Sequence, residues 1–233
     1  MNELFTSLPI PEFLREYLES DDWYLITGKF RSILENNLKS SSTKVPNGVV
    51  NGMVSIGENC VIGSFVVIEG PVYIGNNVEI GSHAHIRAGS IIGDNCVVGY
   101  TAGIKNSLMM NGAKISNHTF MGDSIMCARA RLGGHSETAN RRFDQKEIAW
   151  NFKNGQQETG LDKLGSIIGE DSRIAGGVIL APGTVIGKNT FISSGANVSG
   201  YIPDGKFIKV NNNYEIRDNN FKSKLHQKST LLD

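Results

Sequence analysis

The sequence predicts an all-β solenoid: a parallel β-helix of hexapeptide repeats, with a short helical segment before it and one inserted loop. Three observations carry this. Ile56, Ile62, Ile68, Ile74, Ile80, Ile86, Ile92, Val98 and Ile104 recur at strict six-residue spacing, all aliphatic and β-branched. Four residues after each of the first eight stand Cys60, Val66, Val72, Val78, Ala84, Ser90, Cys96 and Ala102, small or β-branched throughout. The same phase returns at Ile168, Ile174, Leu180, Ile186, Ile192 and Val198. An amphipathic helix repeats at 3.6 residues and a half-buried strand at two, so a period of six means a solenoid with both columns pointing inward.

Each hexad reads as one short strand and one corner. Gly57, Gly63, Gly75, Gly81, Gly93 and Gly99 follow the aliphatic residue, often with Asn or Asp next, and these residue types tolerate the positive φ of a tight corner. Three hexads close one triangular coil, which stacks on the next at about 4.8 Å.

In chain order, residues 1–45 show helical periodicity through Phe13, Leu14, Tyr17 and Leu18, then Trp23, Leu25, Ile26, Phe30, Ile33, Leu34 and Leu38. Pro9 and Pro11 act as starts, Ser20-Asp21-Asp22 as a break and Ser40-Ser41-Ser42 as a stop, giving two short helices. The β-helix domain occupies residues 46–210. Within it an inserted loop, 135–164, lacks the hexad rhythm; Glu147–Phe152 alternates like a strand and Lys153-Asn154-Gly155-Gln156 reads as its hairpin turn. A polar tail, 211–233, closes the chain.

Lys plus Arg and Asp plus Glu each total 23, which removes any global pull toward nucleic acid or an acidic membrane. No apolar run reaches the roughly 18 residues of a membrane span, and Met1 to Glu12 lacks the order of a signal peptide. Cys60 and Cys96 share a column two coils apart, beyond disulfide reach, and Cys127 has no partner. A reducing, cytoplasmic setting is expected.

The period slips once per coil in one region: Ile104 to Met121 is one residue short of a full coil, and Met121 to Met126 one short of a hexad. A site is expected where a regular scaffold breaks its own rule. Arg87 and Lys105 take the slot that is glycine in most hexads and stack one coil apart, so an anion such as phosphate between them would relieve their repulsion. Spacing alone equally allows both to point into solvent. His83 and His118 fall in one column with His85 beside them, but column steps of about 10 Å cannot gather three ligands on one ion, so no metal is expected.

The segments Ala84-His85-Ile86-Arg87, Gly99 to Ser107, Asn117-His118-Thr119-Phe120-Met121-Gly122-Asp123-Ser124, Thr138-Ala139-Asn140-Arg141-Arg142-Phe143-Asp144 and Lys163 to Gly169 resemble the left-handed β-helix acetyltransferase domain of bifunctional sugar-1-phosphate nucleotidyltransferases, the glucosamine-1-phosphate N-acetyltransferase type. The resemblance covers about residues 50–210, with no nucleotidyltransferase domain before it, and looks like a short, acyltransferase-only form. It implies a left-handed coil, where general chirality would favour a right-handed crossover. It also implies a homotrimer, and acetyl-CoA as acyl donor in a groove between subunits lined near Ala175, Ala181 and Ser193. Arg87 and Lys105 match the sugar-phosphate cations, and Asn140 and Lys146 match loop residues that close over sugar and donor.

The chain departs from that pattern at several points. Asn117 stands where the family has its catalytic histidine and His118 is one place nearer the Gly-Asp pair. Phe120 replaces a tyrosine, Gly103 an acidic residue, Arg131 an asparagine, and His135 a turn glycine. The reading is an acyl-CoA-dependent transferase acting on the amine or hydroxyl of a sugar-phosphate or nucleotide-sugar acceptor, with His118 as base, His135 as its alternative and Phe120 against the acceptor. The alternative is a non-catalytic β-helix module for assembly or regulation.

Overall fold

A computed structural model describes residues 10–38, 45–211 and 215–218. Three eight-stranded parallel sheets form the faces of a prism. The first face stacks Val49–Asn51, Val67–Glu69, His85–Ile86, Gly103–Lys105, Phe120–Gly122, Glu137–Thr138, Ile179–Leu180 and Asn197–Val198. The second runs from Val54–Ile56 to Tyr201–Ile202 and the third from Val61–Ile62 to Phe207–Ile208. Both predicted columns are inside: Ile68, Ile74, Ile86, Ile92 and Ile104 are fully buried, and so are Val66, Val72, Val78, Ser90 and Cys96.

The glycines do a different job from the one the sequence implied. None of Gly57, Gly63, Gly75, Gly81, Gly93 and Gly99 has a positive φ; that conformation falls two residues later, on Asn59, Phe65, Asn77, His83, Asn95 and Thr101. Glycine is required because the next coil passes too close: a Cβ on Gly75 would lie 2.9 Å from the backbone N of Asp94.

The register confirms the slips. Ile104 pairs with Met121 and Met109 with Met126. The missing residue is taken from the corner between first and second faces, where Arg87 and Ile91 are separated by three residues but Lys105 and Leu108, like Gly122 and Ile125, by two. One residue must then turn the corner in the left-handed region, and Asn106 (φ 45°) and Asp123 (φ 49°) do so.

The inserted loop begins later than spacing indicated. Glu137–Thr138 is a rung of the first face, pairing with Phe120–Met121 below and Ile179–Leu180 above, so His135 through Thr138 belong to the solenoid. The chain leaves after Thr138 and re-enters at Gly165, and the stack closes across the gap, Met126 on Ile168. The excursion holds the expected hairpin, Ile148–Phe152 with Gly155–Leu161.

That hairpin and the N-terminal segment cover the second face. The segment comprises a 3₁₀ turn Glu12–Leu14, helix Arg15–Glu19, a 3₁₀ stretch Trp23–Gly28 and helix Phe30–Asn37. Such short helices depend on tertiary packing. Leu14, Phe30, Leu34 and Trp150 are fully buried against outward-facing Ile91, Leu108, Ile125, Ile167 and Val185, a second core outside the prism. Burying each large side chain is worth about 1.5–3 kcal/mol. Trp150 Nε1–H donates to Tyr24 O at 2.8 Å, tying hairpin to helices. The serine stop at residues 40–42, Pro9 and most of the C-terminal tail lie outside the described residues.

Cys60, Cys96 and Cys127 are all free thiols. Burial pushes the Cys96 thiol up to about 12, and Cys127 is raised further for the same reason. Among the described residues no helix is long and apolar enough to cross a membrane.

Candidate functional site

The shortened corners gather a polar cluster around Asp123, which the sequence reading had not singled out. Its side chain is only 5% exposed. Asp123 Oδ1 accepts from Asn106 Nδ2 at 2.8 Å; Oδ2 accepts from Asn140 Nδ2 at 2.5 Å and lies 3.3 Å from Lys105 Nζ. Asn106 Nδ2 also donates to Thr27 O at 2.9 Å, so the cluster reaches the helical cover. Beneath it, Ser124 Oγ donates to Gly122 O, and Thr138 Oγ1 accepts the Gly122 N–H at 2.9 Å.

This changes the reading of the two stacked cations. Ile86 pairs with Ile104, so Arg87 and Lys105 do occupy neighbouring rungs. Lys105, however, already has a buried carboxylate, which removes most of the repulsion that an anion was invoked to relieve. Arg87 is exposed, and its side chain has no hydrogen-bond or ion-pair partner among the described residues. Glu69, one rung below it, has its carboxylate 3.0 Å from His85 Nε2 instead.

Phe120 leads the next rung, half-buried, its ring leaning over two glycines: a Cβ on Gly103 would meet Phe120 Cδ2 at 3.4 Å, and one on Gly122 would meet its ring at 2.8 Å and Asn140 Nδ2 at 2.9 Å. Arg87, Lys105 and Asn140 thus share one end of the first face, and the Phe120 ring leans toward it from the position in register with Gly103.

The histidines occupy the other end, where the third face turns into the first. Strand alternation would have placed His118 beside Phe120. Instead His118 is a corner residue with φ 55°, and Phe120 begins the strand two residues on. The corner positions of successive coils are Phe65, His83, Thr101, His118 and His135, all at positive φ. Their rings and that of Tyr100 form a ladder: Phe65 on His83 at 5.1 Å, His83 on Tyr100 at 5.6 Å, Tyr100 on His118 at 5.5 Å, and His118 stacked on His135 at 4.8 Å. Among the described residues no group of three His, Cys, Asp or Glu is placed to hold a metal.

The hydrogen bonds orient the His118 ring. Thr101 Oγ1 lies 2.5 Å from His118 Nδ1 and donates its single proton to Tyr100 O at 2.7 Å. With the Thr101 hydroxyl donating to Tyr100 O, its oxygen accepts at Nδ1 and the imidazole proton sits there, which leaves the Nε2 lone pair at an exposed corner. Thr101, unnoticed in the sequence, is the residue that orients this ring. The two ends of the face are separated by the length of the strand between His118 and Gly122, about 13 Å at roughly 3.3 Å per residue.

Above His135 the same corner becomes bare. Gly177 and Gly195 follow in the column, and a Cβ on Gly195 would meet nothing within 4 Å. Ala175 and Ser193 stand beside these glycines on consecutive rungs, since Ile174 pairs with Ile192. Ala181 does not join them; it lies across the first face, its carbonyl accepting from Thr184 Oγ1 at 2.6 Å. Lys146 is exposed on the excursion, its backbone N–H donating to Asp144 Oδ1 at 3.3 Å. A polar cleft of 290 Å³ lies under the hairpin between Arg142, Glu147, Asn151 and Pro182, one rung above Asn140 at the same corner.

The family described as the GMPPB C-terminal domain matches residues 68–203, more than half of the chain, and a hexapeptide repeat of succinyl-transferase matches residues 53–81. The chain belongs to the hexapeptide-repeat acyltransferases of this GMPPB C-terminal family. Within that family it is 34% identical over 187 residues to the uncharacterized acetyltransferase YaiX of Escherichia coli K12, covering 78% of this chain and 81% of YaiX. It is 37% identical over 107 residues to a bifunctional sugar-1-phosphate nucleotidylyltransferase/acetyltransferase of Sulfurisphaera tokodaii, covering 46% of this chain but 27% of that protein. The chain spans about a quarter of the length of such bifunctional relatives. LpxA from Acinetobacter baumannii shares the fold, with a TM-score of 0.59 at 16% identity over 72% of this chain and 66% of that one. The coil is accordingly a left-handed parallel β-helix.

Proposed function

We propose that this chain transfers an acyl group, in the simplest case acetyl, from acyl-CoA to an amine or hydroxyl of a sugar-phosphate or nucleotide-sugar acceptor. The observation that carries the reading is His118, held by Thr101 with Nε2 free at the open corner beside a bare groove. Nε2 takes the proton from the acceptor amine or hydroxyl as its lone pair attacks the thioester carbonyl. Backbone N–H groups of the corner steady the oxyanion, and on collapse the C–S bond breaks and the proton passes from His118 to the departing thiolate. Ala175, Ser193 and the bare glycines give the pantetheine arm of CoA a wall without side chains, and Phe120 offers a flat apolar surface to the acceptor ring. Arg87 supplies the free cation for an acceptor phosphate, while Lys105, shared with Asp123, acts mainly by position.

A homotrimer fits this arrangement. The second face is covered by the chain's own helices and hairpin, whereas the histidine corner is open along its length, so a neighbouring copy would supply the second wall of the groove. Asn140 and Lys146 would then act from the excursion that begins at the acceptor end.

The test is turnover with acetyl-CoA, read by released thiol, across a panel of amino-sugar phosphates and nucleotide-linked amino sugars. His118→Ala should lower turnover by about 10² to 10⁴ with CoA affinity unchanged. Thr101→Val should give a smaller loss of about tenfold or more, restored by Thr101→Ser, because only the orienting oxygen is at stake. Loss in His135→Ala with full activity in His118→Ala would move the base one coil up. Full activity in both would refute the assignment, and a wild-type chain that neither binds nor turns over acyl-CoA would refute the enzyme reading in favour of a non-catalytic module.

A further inference from the structure

The third face carries a column that neither the catalytic reading nor the helical cover uses. In the register of that sheet Lys114 pairs with Arg131, Arg131 with Arg173, Arg173 with Phe191, and Phe191 with Phe207. Three cations therefore stand on consecutive rungs about 4.8 Å apart, directly followed by two aromatic rings. All three cations are exposed, and Phe191 and Phe207 are 46% and 66% exposed. Like charges directly opposite on neighbouring strands destabilise a sheet, so such a ladder calls for a counter-charge.

The chain's own acids do not provide it. At the adjoining corner Asp171 and Glu170 are taken by Arg129, through Arg129 Nε to Asp171 Oδ1 at 2.9 Å, Arg129 Nη2 to Asp171 Oδ2 at 2.8 Å, and a close contact of the same Nη2 with Glu170 Oε1. Asp171 also feels Arg173, and beyond that Lys114, Arg131 and Arg173 have no side-chain hydrogen bond or ion pair among the described residues. The nearest acid on the column is Glu79, two rungs below Lys114 with Val97 between.

We infer that this column is a binding site for a nucleoside diphosphate, its diphosphate on Arg131 and Arg173 with Lys114 at the end and its base against Phe191 and Phe207. Paired phosphate groups match stacked guanidinium forks, which bind them bidentately. A flat ring on exposed aromatics is the common way a protein holds a base without reading its identity. The order along the column, cations and then rings on consecutive rungs, is the order of groups along a nucleotide. A nucleotide-linked acceptor and the nucleotide half of CoA share this chemistry, and Ala175 and Ser193 follow Arg173 and Phe191 by two residues, so the groove lies within reach.

Calorimetric titration of the full chain, without turnover, tests this apart from the acyl-transfer reading; its failure leaves the role of His118 untouched. The ligands are UDP, GDP, ADP, inorganic pyrophosphate, and CoA with 3′,5′-ADP. Saturable binding of a nucleoside diphosphate or of CoA is expected, weakening as salt rises. Arg131→Gln and Arg173→Gln should each weaken it about tenfold to a hundredfold, the range for a charged hydrogen bond. Phe191→Ala should bring the nucleoside diphosphates down to the affinity of pyrophosphate while leaving pyrophosphate unchanged. Arg31→Gln, on the helical cover, should have no effect. CoA binding that falls in the two arginine variants names the coenzyme as source; nucleoside diphosphate binding that falls while CoA holds names the acceptor. Absence of binding by all of them at millimolar concentration, or unchanged affinity in both arginine variants with unchanged melting, would overturn the site.

Discussion

Replacing Asp123 by Asn tests whether the slipped corners are held by one buried carboxylate. The side chain is nearly isosteric, but the carboxylate's two oxygens face three donors: Asn106 Nδ2 at 2.8 Å, Asn140 Nδ2 at 2.5 Å and Lys105 Nζ at 3.3 Å. An amide keeps one acceptor and turns the other into an NH₂ pointed at donors, while Lys105 loses its counter-charge. A charged hydrogen bond is worth about 1.5–3 kcal/mol, and breaking one partner of a buried pair costs more than the pair contributes. Lys105 is 24% exposed, so water recovers part of its share. The expected loss is about 2–4 kcal/mol, a fall in melting temperature of roughly 5–15 °C for a chain of this size. Calorimetric melting of Asp123→Asn, Asn140→Ala and the double variant should show coupling of about 0.5–3 kcal/mol. A melting temperature within about 2 °C of wild type, with additive single effects, would mean that backbone hydrogen bonds alone hold these corners.

Three further outcomes follow from the packing. Trp150→Phe should cost about 1–2 kcal/mol through the lost bond to Tyr24 O, and Trp150→Ala about 3–5 kcal/mol, with limited proteolysis opening the hairpin turn at Lys153-Asn154 first. Gly165→Ala should destabilise by about 3 kcal/mol or more because its Cβ would overlap Ser124 Oγ and Gly122 O, whereas Gly103→Ala, with only Phe120 nearby, should fold normally in thermal melts. Asp171 is held below its ordinary carboxylate range by Arg129; a depressed folded value contributes stability above the ordinary range that is lost as pH falls through it, so Arg129→Met should flatten the acid limb of a stability–pH curve.

The interior of the prism was legible because its cause is local: one β-branched residue per strand at fixed spacing leaves no other way to bury Ile68, Ile86 and Ile104. The hairpin at 148–161 was legible for the same kind of reason, an alternating run and a turn. The glycines were misread because sequence shows that glycine is present but not whether φ or a neighbouring coil demands it, and here the demand comes from chain eighteen residues away. Asp123 and Asn106 could have been found, since a corner one residue short needs a left-handed residue and both belong to the types that tolerate it. Thr101 could not: its importance lies in where a hydroxyl sends its proton, which depends on the carbonyl of Tyr100 and the ring of His118 one coil away. Alternation put His118 on a strand beside Phe120 although it turns the corner, because the last residue of a corner and the first of a strand look alike in a string of letters.

The excursion after Thr138 also bears on how the chain assembles itself. Everywhere else in the stack a strand finds its partner 16 to 18 residues along, so each new coil closes a short loop on a template already formed. At the excursion the partner is 42 residues away. The difference in closure entropy, from a logarithmic dependence on loop length, is about 0.8 kcal/mol, small for stability but incurred before any contact repays it. Winding therefore meets a step at one rung only, between a long segment ending at Thr138 and a short one starting at Gly165. A hairpin formed before re-entry would lower that step by shortening the free chain, so the element that covers the second face in the finished protein would also serve as the splice by which the two stretches of coil find a common axis.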